Sequence, residues 1–215
     1  MTSESSPYYG LNQDRWLAKT NDLIAAHPLK PTEMVELVLT CWKDIFVSRL
    51  GGLDYRIGHE IKPKPQIMGF FLHEFLQLEI ARRNPGVWRG EVTAADKDLV
   101  YILDPHYSIE IKTSSHADKI FGNRSYAQKS SKVKKSKSGF YLAINFAKFT
   151  EDSTSCNIAK IKFGWLDTED WRGQAAQSGQ QASLSPYVEA GKLVTLYPPP
   201  DSGPTAKKPS RKPRV

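Results

Sequence analysis

The sequence predicts a mixed α/β domain in which helices come first and a mostly antiparallel sheet follows. Two observations carry this: apolar residues recur at helical spacing through residue 84, and from residue 98 the period changes to two. A third bounds the size. With 215 residues and 40% hydrophobic composition, the chain can bury one sizeable core.

The first helix is expected in "LNQDRWLAKTNDLIAAHP", where Leu11, Trp16, Leu17, Leu23 and Ile24 fall near helical spacing and Pro28 stops it. The second, "TEMVELVLTCWKDIFVSRLGG", is clearer. Met34, Val35, Leu37, Val38, Cys41, Trp42, Ile45, Phe46 and Leu50 form a stripe, with Thr32 as N-cap, Glu33 in the first turn and Gly51-Gly52 at the end. The third, "PQIMGFFLHEFLQLEIARRNPG", is almost apolar all round and closes at Asn84-Pro85-Gly86. Strands are expected in "DLVYI" and "YSIEIK", joined by "LDPH", where Asp104 and Pro105 suit the first two positions of a type I turn. "GFYLAINF" and "NIAKIKFGWL" read as further strands, a short helix starts on Asp167, and "GKLVTLYPPP" holds a last strand. Residues 198–215 are Pro-, Ser- and Lys-rich without apolar pattern, a tail expected to be disordered.

Composition narrows the function classes. No apolar run approaches the ~20 residues of a bilayer span, and "MTSESSPYYGLNQ" lacks the charged and apolar regions of a signal peptide. A soluble, cytoplasmic protein without a membrane partner is expected. Cys41 and Cys156, distant from each other, make neither a disulfide framework nor a zinc site, and Cys41 sits on a core stripe. The net charge of +7 favours an anionic partner. It is concentrated: Lys112 to Lys137 holds eight Lys/Arg and one acid, Asp118. That is either an attractor for phosphates or a solvated lysine loop.

Beside this stretch lies a carboxylate–lysine constellation. Glu110 and Lys112 are two apart on a strand and share a face. With a turn at 103–106, residues whose numbers sum to about 208–210 oppose each other, which sets Asp98 across from Glu110 or Lys112. Cross-strand Cβ atoms ~5 Å apart let two carboxylates share a divalent ion. A one-residue slip would turn Asp98 to the other face. Asp104 is too far along the hairpin to join them. Hydrolysis of a phosphodiester needs carboxylates to hold the ion and a cation to offset developing charge, for which Lys112 is placed. The alternative is a cross-strand salt bridge. Glu74, on the apolar third helix, is either paired or part of this site, because burying a lone charge is costly. His73-Glu74 is not a zinc-protease motif, since Gln77 stands where a second His is required.

These residues bring a family with them. "PQIMGFFLHEFLQLEIARRNPGVWRGEVTAADKDLVYI", "YSIEIKTSS", "IFGNRSYAQ", "FGWLDTEDWRGQAAQSGQQASLSP" and "KLVTLY" resemble the ScaI-type restriction endonucleases, Type II enzymes of the PD-(D/E)XK nuclease superfamily. The resemblance covers residues 8–197 as a single endonuclease domain. It implies a restriction-endonuclease-like core, a mixed sheet flanked by helices. It also implies Asp98, Glu110 and Glu74 as ligands of Mg2+, with Lys112 as the catalytic lysine. The proline that usually precedes the first acid is absent, Lys97 standing there instead. The resemblance further implies a homodimer that cuts double-stranded DNA at the palindrome AGTACT to leave blunt ends, alongside a cognate DNA methyltransferase.

"IFGNRSYAQKSSK" follows the catalytic strand. Asn123, Arg124, Ser125, Tyr126 and Gln128 are types that read base edges or grip phosphates, and Lys129 and Lys132 would add contacts to the DNA backbone. A structural turn at Gly122-Asn123 is the alternative. "RGQAAQSGQQ", with Arg172, Gln174, Gln177, Gln180 and Gln181, is a second polar candidate. Two other activities fit the same residues: a repair or junction nuclease, and a DNA-binding protein that never cleaves. A neighbouring methyltransferase reading frame would favour restriction.

Overall fold

Helices α1 (Trp16–Ala26), α2 (Pro31–Val47) and α3 (Pro65–Arg83) cover one face of a six-stranded sheet in the computed structural model, which describes residues 6–127, 136–175 and 179–198. A small hairpin, β1 (Arg49–Leu50) with β2 (Tyr55–Arg56), separates α2 from α3. The strands that follow are β3 (Trp88–Gly90), β4 (Leu99–Tyr101), β5 (Ile109–Ser114), β6 (Phe121–Asn123), β7 (Gly139–Phe146), β8 (Ile158–Leu166), β9 (Trp171–Gly173) and β10 (Gln181–Leu184). A short helix, α4 (Pro186–Lys192), leads into β11 (Val194–Tyr197). The main sheet runs β11-β8-β7-β5-β4-β3, and a small second sheet runs β6-β10-β9. The fold is the expected mixed α/β arrangement, a mixed sheet flanked by helices. The described residues contain no helix long and apolar enough to cross a membrane.

The sheet is antiparallel except where β5 pairs with β7 in parallel, Glu110 beside Tyr141 and Lys112 beside Ala143. The connection between these strands contains β6, which pairs in the second sheet. This explains why "GFYLAINF" is apolar throughout. Phe140, Leu142, Ile144 and Phe146 face the helices, while Tyr141 and Ala143 pack with Ile120, Trp171, Ala182 and Leu184 of a second core. A strand covered on both faces has no solvent side to alternate toward. β8 behaves likewise from Ile161 on, so only its first residues show the amphipathic pattern read from sequence.

Three local expectations change. Pro31, not a residue after Thr32, opens α2: its fixed φ suits the first turn, and the Glu33 carboxylate accepts the Lys30 N–H at 2.9 Å. Asp104 and Pro105 do open a turn, the Tyr107 N–H donating to the Asp104 carbonyl at 3.1 Å, but a second bond from the Ser108 N–H to the Pro105 carbonyl extends it into a 3-10 turn, Pro105–Tyr107. Asp167 starts only a 3-10 turn, Thr168–Asp170, before β9. The strands β3, β6, β9 and β10 and helix α4 were not legible as elements, being three to seven residues long. Cys41 and Cys156 are buried free thiols, Cys41 on the core stripe of α2 as read.

α3 shows how one helix serves two purposes. Met68, Leu72, Leu76 and Ile80 form its buried stripe, whereas Ile67, Phe70 and Leu78 remain exposed. Beside the buried stripe run Gly69, His73 and Gln77 at four-residue spacing. Gly69 permits a close approach to β5, because a Cβ there would lie 2.5 Å from Thr113 Oγ1. His73 and Gln77 are thereby carried toward the ends of β4 and β3.

At the centre of the main core is His27, fully buried among Trp88, Tyr107, Phe140 and Phe163. Its Nδ1 accepts the Leu29 N–H at 3.1 Å and its Nε2 lies 3.0 Å from the Tyr107 carbonyl. Burial lowers its pKa from 6.5 to about 4. The unfolded chain therefore binds this proton first, so the stability contributed by the neutral ring is complete above pH 6.5 and is lost as pH falls toward 4. The loss is on the order of 3 kcal/mol. Unfolding free energy followed from pH 7 to 4 should fall by about one proton's slope less in His27→Gln than in wild type. Equal slopes would show that His27 is not the titrating group.

Candidate active site

β4 and β5 pair through Leu99 and Ile109. Continuing that register by one residue sets Asp98 opposite Glu110, one of the two partners, Glu110 or Lys112, that the summed numbering allows. Asp98 is 5% exposed and Glu110 2%. Neither acid is a surface charge. Asp98 Oδ2 accepts the Ile111 N–H at 2.6 Å, which anchors the carboxylate where the ladder ends. Two lysines approach Glu110. Lys112 Nζ donates to Oε1 at 2.8 Å and lies 3.2 Å from the Ile111 carbonyl, and Lys97 Nζ is 3.9 Å from Oε2. Lys97, which occupies the place of the usual proline, also donates to the Ser136 carbonyl at 2.6 Å.

Tyr126 belongs to this group. Its hydroxyl donates to Glu110 Oε1 at 2.5 Å, and its ring lies under the Lys112 ammonium at 4.7 Å and against Trp171 at 5.1 Å. Burial, then the Glu110 charge, push the phenol pKa up, so it stays protonated and keeps donating. The sequence reading grouped Tyr126 with DNA contacts; the structure brings it to a carboxylate of the site.

Glu74 is placed differently from Glu110 and Asp98. Its side chain is 47% exposed, and its Oε1 lies 3.3 Å from His73 Nδ1. The other imidazole nitrogen, Nε2, lies 3.6 Å from Asp98 Oδ2, so His73 stands between the two acids. Asp98 raises the His73 pKa against the opposing effect of burial. Glu91, at the end of β3, completes a group with His73 and Asp98 in which one ligand atom from each lies within 4.8 Å of the others. His73 and Glu91 were missed as site residues. The signal in sequence was the four-residue spacing of Gly69, His73 and Gln77, legible only once β3 and β5 are known to flank that helix face. Buried carboxylates, a nearby imidazole and peptide carbonyls form a donor set that suits a divalent cation.

The second sheet unites the two polar stretches read separately from sequence. Asn123 pairs with Gln181 across β6 and β10, and Arg172 pairs with Ser183 across β9 and β10. Asn123, Ser125, Arg172, Gln174 and Gln181 are exposed, whereas Arg124 is partly held, its Nη1 donating to the Gly179 carbonyl at 2.9 Å and its N–H to that of Gln180 at 2.8 Å. Gln128, Lys129, Lys132 and Gln177 lie outside the described residues, as does the tail from residue 199.

A family model described as ScaI restriction endonuclease matches residues 6–197. The chain belongs to the ScaI restriction endonuclease family. Type II restriction enzyme ScaI of Streptomyces caespitosus is 43% identical over 197 residues, covering 91% of this chain and 86% of the relative. No solved structure matches. Within this ScaI-family chain, the matched span contains the six-stranded and three-stranded sheets, helices α1 to α4 and every residue of the carboxylate–lysine group.

Proposed function

We propose that this ScaI-family chain is a Mg2+-dependent, cytoplasmic Type II endonuclease that hydrolyses double-stranded DNA at AGTACT with blunt ends. One observation supports the chemistry above others: the buried Glu110 meets the Lys112 ammonium at 2.8 Å, with Asp98 across the register. Asp98 and Glu110 would hold Mg2+, which when bound supplies a positive centre that polarises phosphoryl oxygen and acidifies water. Lys112 orients the attacking water and offsets charge that develops on the phosphate. Glu74 acts on the site through His73. Tyr126 holds the Glu110 carboxylate in one orientation.

Asn123, Arg124, Ser125 and Gln128 stand as the DNA-reading set, joined by Gln181 and Arg172 from the small sheet that holds Asn123, while Lys129 and Lys132 grip phosphates. A palindromic target calls for a two-fold homodimer with one site per strand. A cognate DNA methyltransferase would protect the host sequence. The test is digestion of a sequenced plasmid by the purified protein with Mg2+, followed by sequencing of the ends. Blunt cuts inside AGTACT are expected. Discrete cuts elsewhere would keep the chemistry and refute the specificity, and random nicking would refute restriction altogether.

Tyr126→Phe removes one donor from Glu110 without removing the ring on Trp171 and Lys112. Supporting groups of this kind are worth about 10–100-fold in metal affinity. The Mg2+ concentration for half-maximal cleavage should rise by that factor. An unchanged Mg2+ dependence would mean that Glu110 needs no help from the phenol.

A further inference from the structure

β5 and β7 run in parallel, and a crevice beyond the carboxyl ends of parallel strands is where an open α/β sheet ordinarily holds its ligand. This sheet has a cleft there. It measures about 750 Å³, opens past Ser114 and Phe146, the last residues of the two strands, and is also lined by Gln66 at the start of α3, His116, Lys148 and Gln181. Gln181 belongs to the small sheet that carries Asn123. Lys112 stands two residues before Ser114, roughly 7 Å back along the strand. The cleft therefore continues from the catalytic strand toward the small sheet, along the path of a DNA strand laid on the site.

His116 sets the chemistry of this cleft. Its Nδ1 accepts two backbone N–H groups, those of Asp118 and Lys119, each at 3.1 Å. A nitrogen that accepts carries no hydrogen, so the ring hydrogen sits on Nε2, at the far side of the imidazole. Among the described residues none accepts from Nε2. The loop behind the ring is built to hold it. Asn145, fully buried on β7, donates from Nδ2 to the His116 carbonyl at 2.8 Å and to the Lys119 carbonyl at 3.0 Å. The His116 N–H donates to Ser114 Oγ at 3.1 Å, and the ring lies edge-on to Phe121 at 6.0 Å. His116 is thus an exposed donor of fixed direction, and what it selects is an acceptor. The surrounding charge says which kind. Lys148 is exposed in the same cleft, and α3 turns the positive end of its dipole toward it at Gln66. Asp118, the acid of this loop, is paired with Lys160. An anionic acceptor is favoured, and in DNA that is a backbone phosphate.

We propose that His116 donates from Nε2 to one of the two DNA phosphates that flank the scissile one, with Lys148 adding charge in the same cleft. The contact carries no sequence information; it fixes the register of the strand that enters the site. His116 and Lys148 therefore act apart from the DNA-reading set on the small sheet. The inference rests on the reading of this chain as a DNA endonuclease.

The test is fluorescence anisotropy of the full-length protein in Ca2+ with labelled AGTACT duplexes, in which each phosphate flanking the cut is replaced in turn by an uncharged methylphosphonate. If plasmid digestion places the cut in another sequence, the duplexes carry that sequence. Wild type should lose at least about tenfold in affinity at one flanking position. His116→Asn keeps an acceptor, Oδ1, where Nδ1 stood and has no Nε2. It should melt as wild type does, bind the unmodified duplex about tenfold more weakly, and lose nothing further at the position that wild type feels. A purely structural role for His116 would leave that methylphosphonate loss in place. Lys148→Ala should lower the slope of log affinity against log salt by about one. The melting curve guards the comparison, and the wild-type duplex series stands without any variant. Equal methylphosphonate losses in His116→Asn and wild type would overturn the inference, as would a wild type indifferent to both flanking positions; site-specific cleavage alongside either result would leave the nuclease standing. A methylphosphonate loss that depends on His116, with no cleavage in Mg2+, would sink the nuclease and keep the contact.

Discussion

Lys112→Ala should lower DNA cleavage by about 10²–10³-fold, the effect of removing one preorganised charge partner from a reacting phosphate, and Glu110→Ala should bring it to background. The reason lies in burial. Glu110 is 2% exposed, and Lys112 Nζ sits 2.8 Å from its Oε1, so the pair is held together at the sheet and its loss leaves the remaining partner uncompensated. Both variants should still bind AGTACT duplex specifically in Ca2+, whose looser coordination supports binding without efficient chemistry. Cleavage by either variant at the wild-type rate would refute the assignment of this pair. Loss of specific binding in Ca2+ together with cleavage would instead show that the carboxylate organises the DNA interface.

Lys192→Ala should be strongly destabilising. Lys192 is 4% exposed, and its ammonium donates to Asp167 Oδ2 at 2.8 Å and to both oxygens of Asp170 at 2.8 and 2.9 Å. It also lies 4.4 Å above the Tyr8 ring and 4.7 Å above Trp16. Removing it strands two buried carboxylates together, a loss of about 3–5 kcal/mol. For a domain of this size the melting temperature should fall on the order of 10 °C. Lys192→Met, which keeps the stem, should lose nearly as much, because the cost lies in the uncompensated charges and not in packing. A fall of under about 2 °C in both would mean that the carboxylates take up protons or water at little cost. Cleavage should persist below the new melting temperature, since Lys192 is a structural cation on α4 and not part of the Glu110 group.

Much of the fold was readable where periodicity ran long enough. The helical stripe Met34, Leu37, Val38, Cys41, Trp42 and Ile45 became the buried face of α2 as read, and "GFYLAINF" became the central strand β7. The second sheet was not readable. Its strands are three or four residues long, and its partners in the β6–β10 pair, Asn123 and Gln181, lie 58 positions apart in the chain. The candidate site divides the same way. Asp98, Glu110 and Lys112 follow from a turn and a period of two, because strand geometry alone sets which residues share a face. Glu74 was chosen as an acid on an apolar helix, but its neighbour His73 is the residue turned toward Asp98.

By itself, then, the sequence determined the helix-then-sheet order, a hairpin that sets Asp98 across from Glu110 or Lys112, and the family, and the Leu99–Ile109 pair then selects Glu110. These depend on local spacing and on motifs contiguous in the chain. Only the tertiary structure decided that Tyr126 donates to Glu110, that Lys97 approaches it from the other side, and that Gln77 gathers His73 and Glu91 around Asp98. Each of those contacts depends on how closely two elements pack. The glycines at 69 and 90 set that distance for α3 against β5 and β3, and no period in the chain announces it.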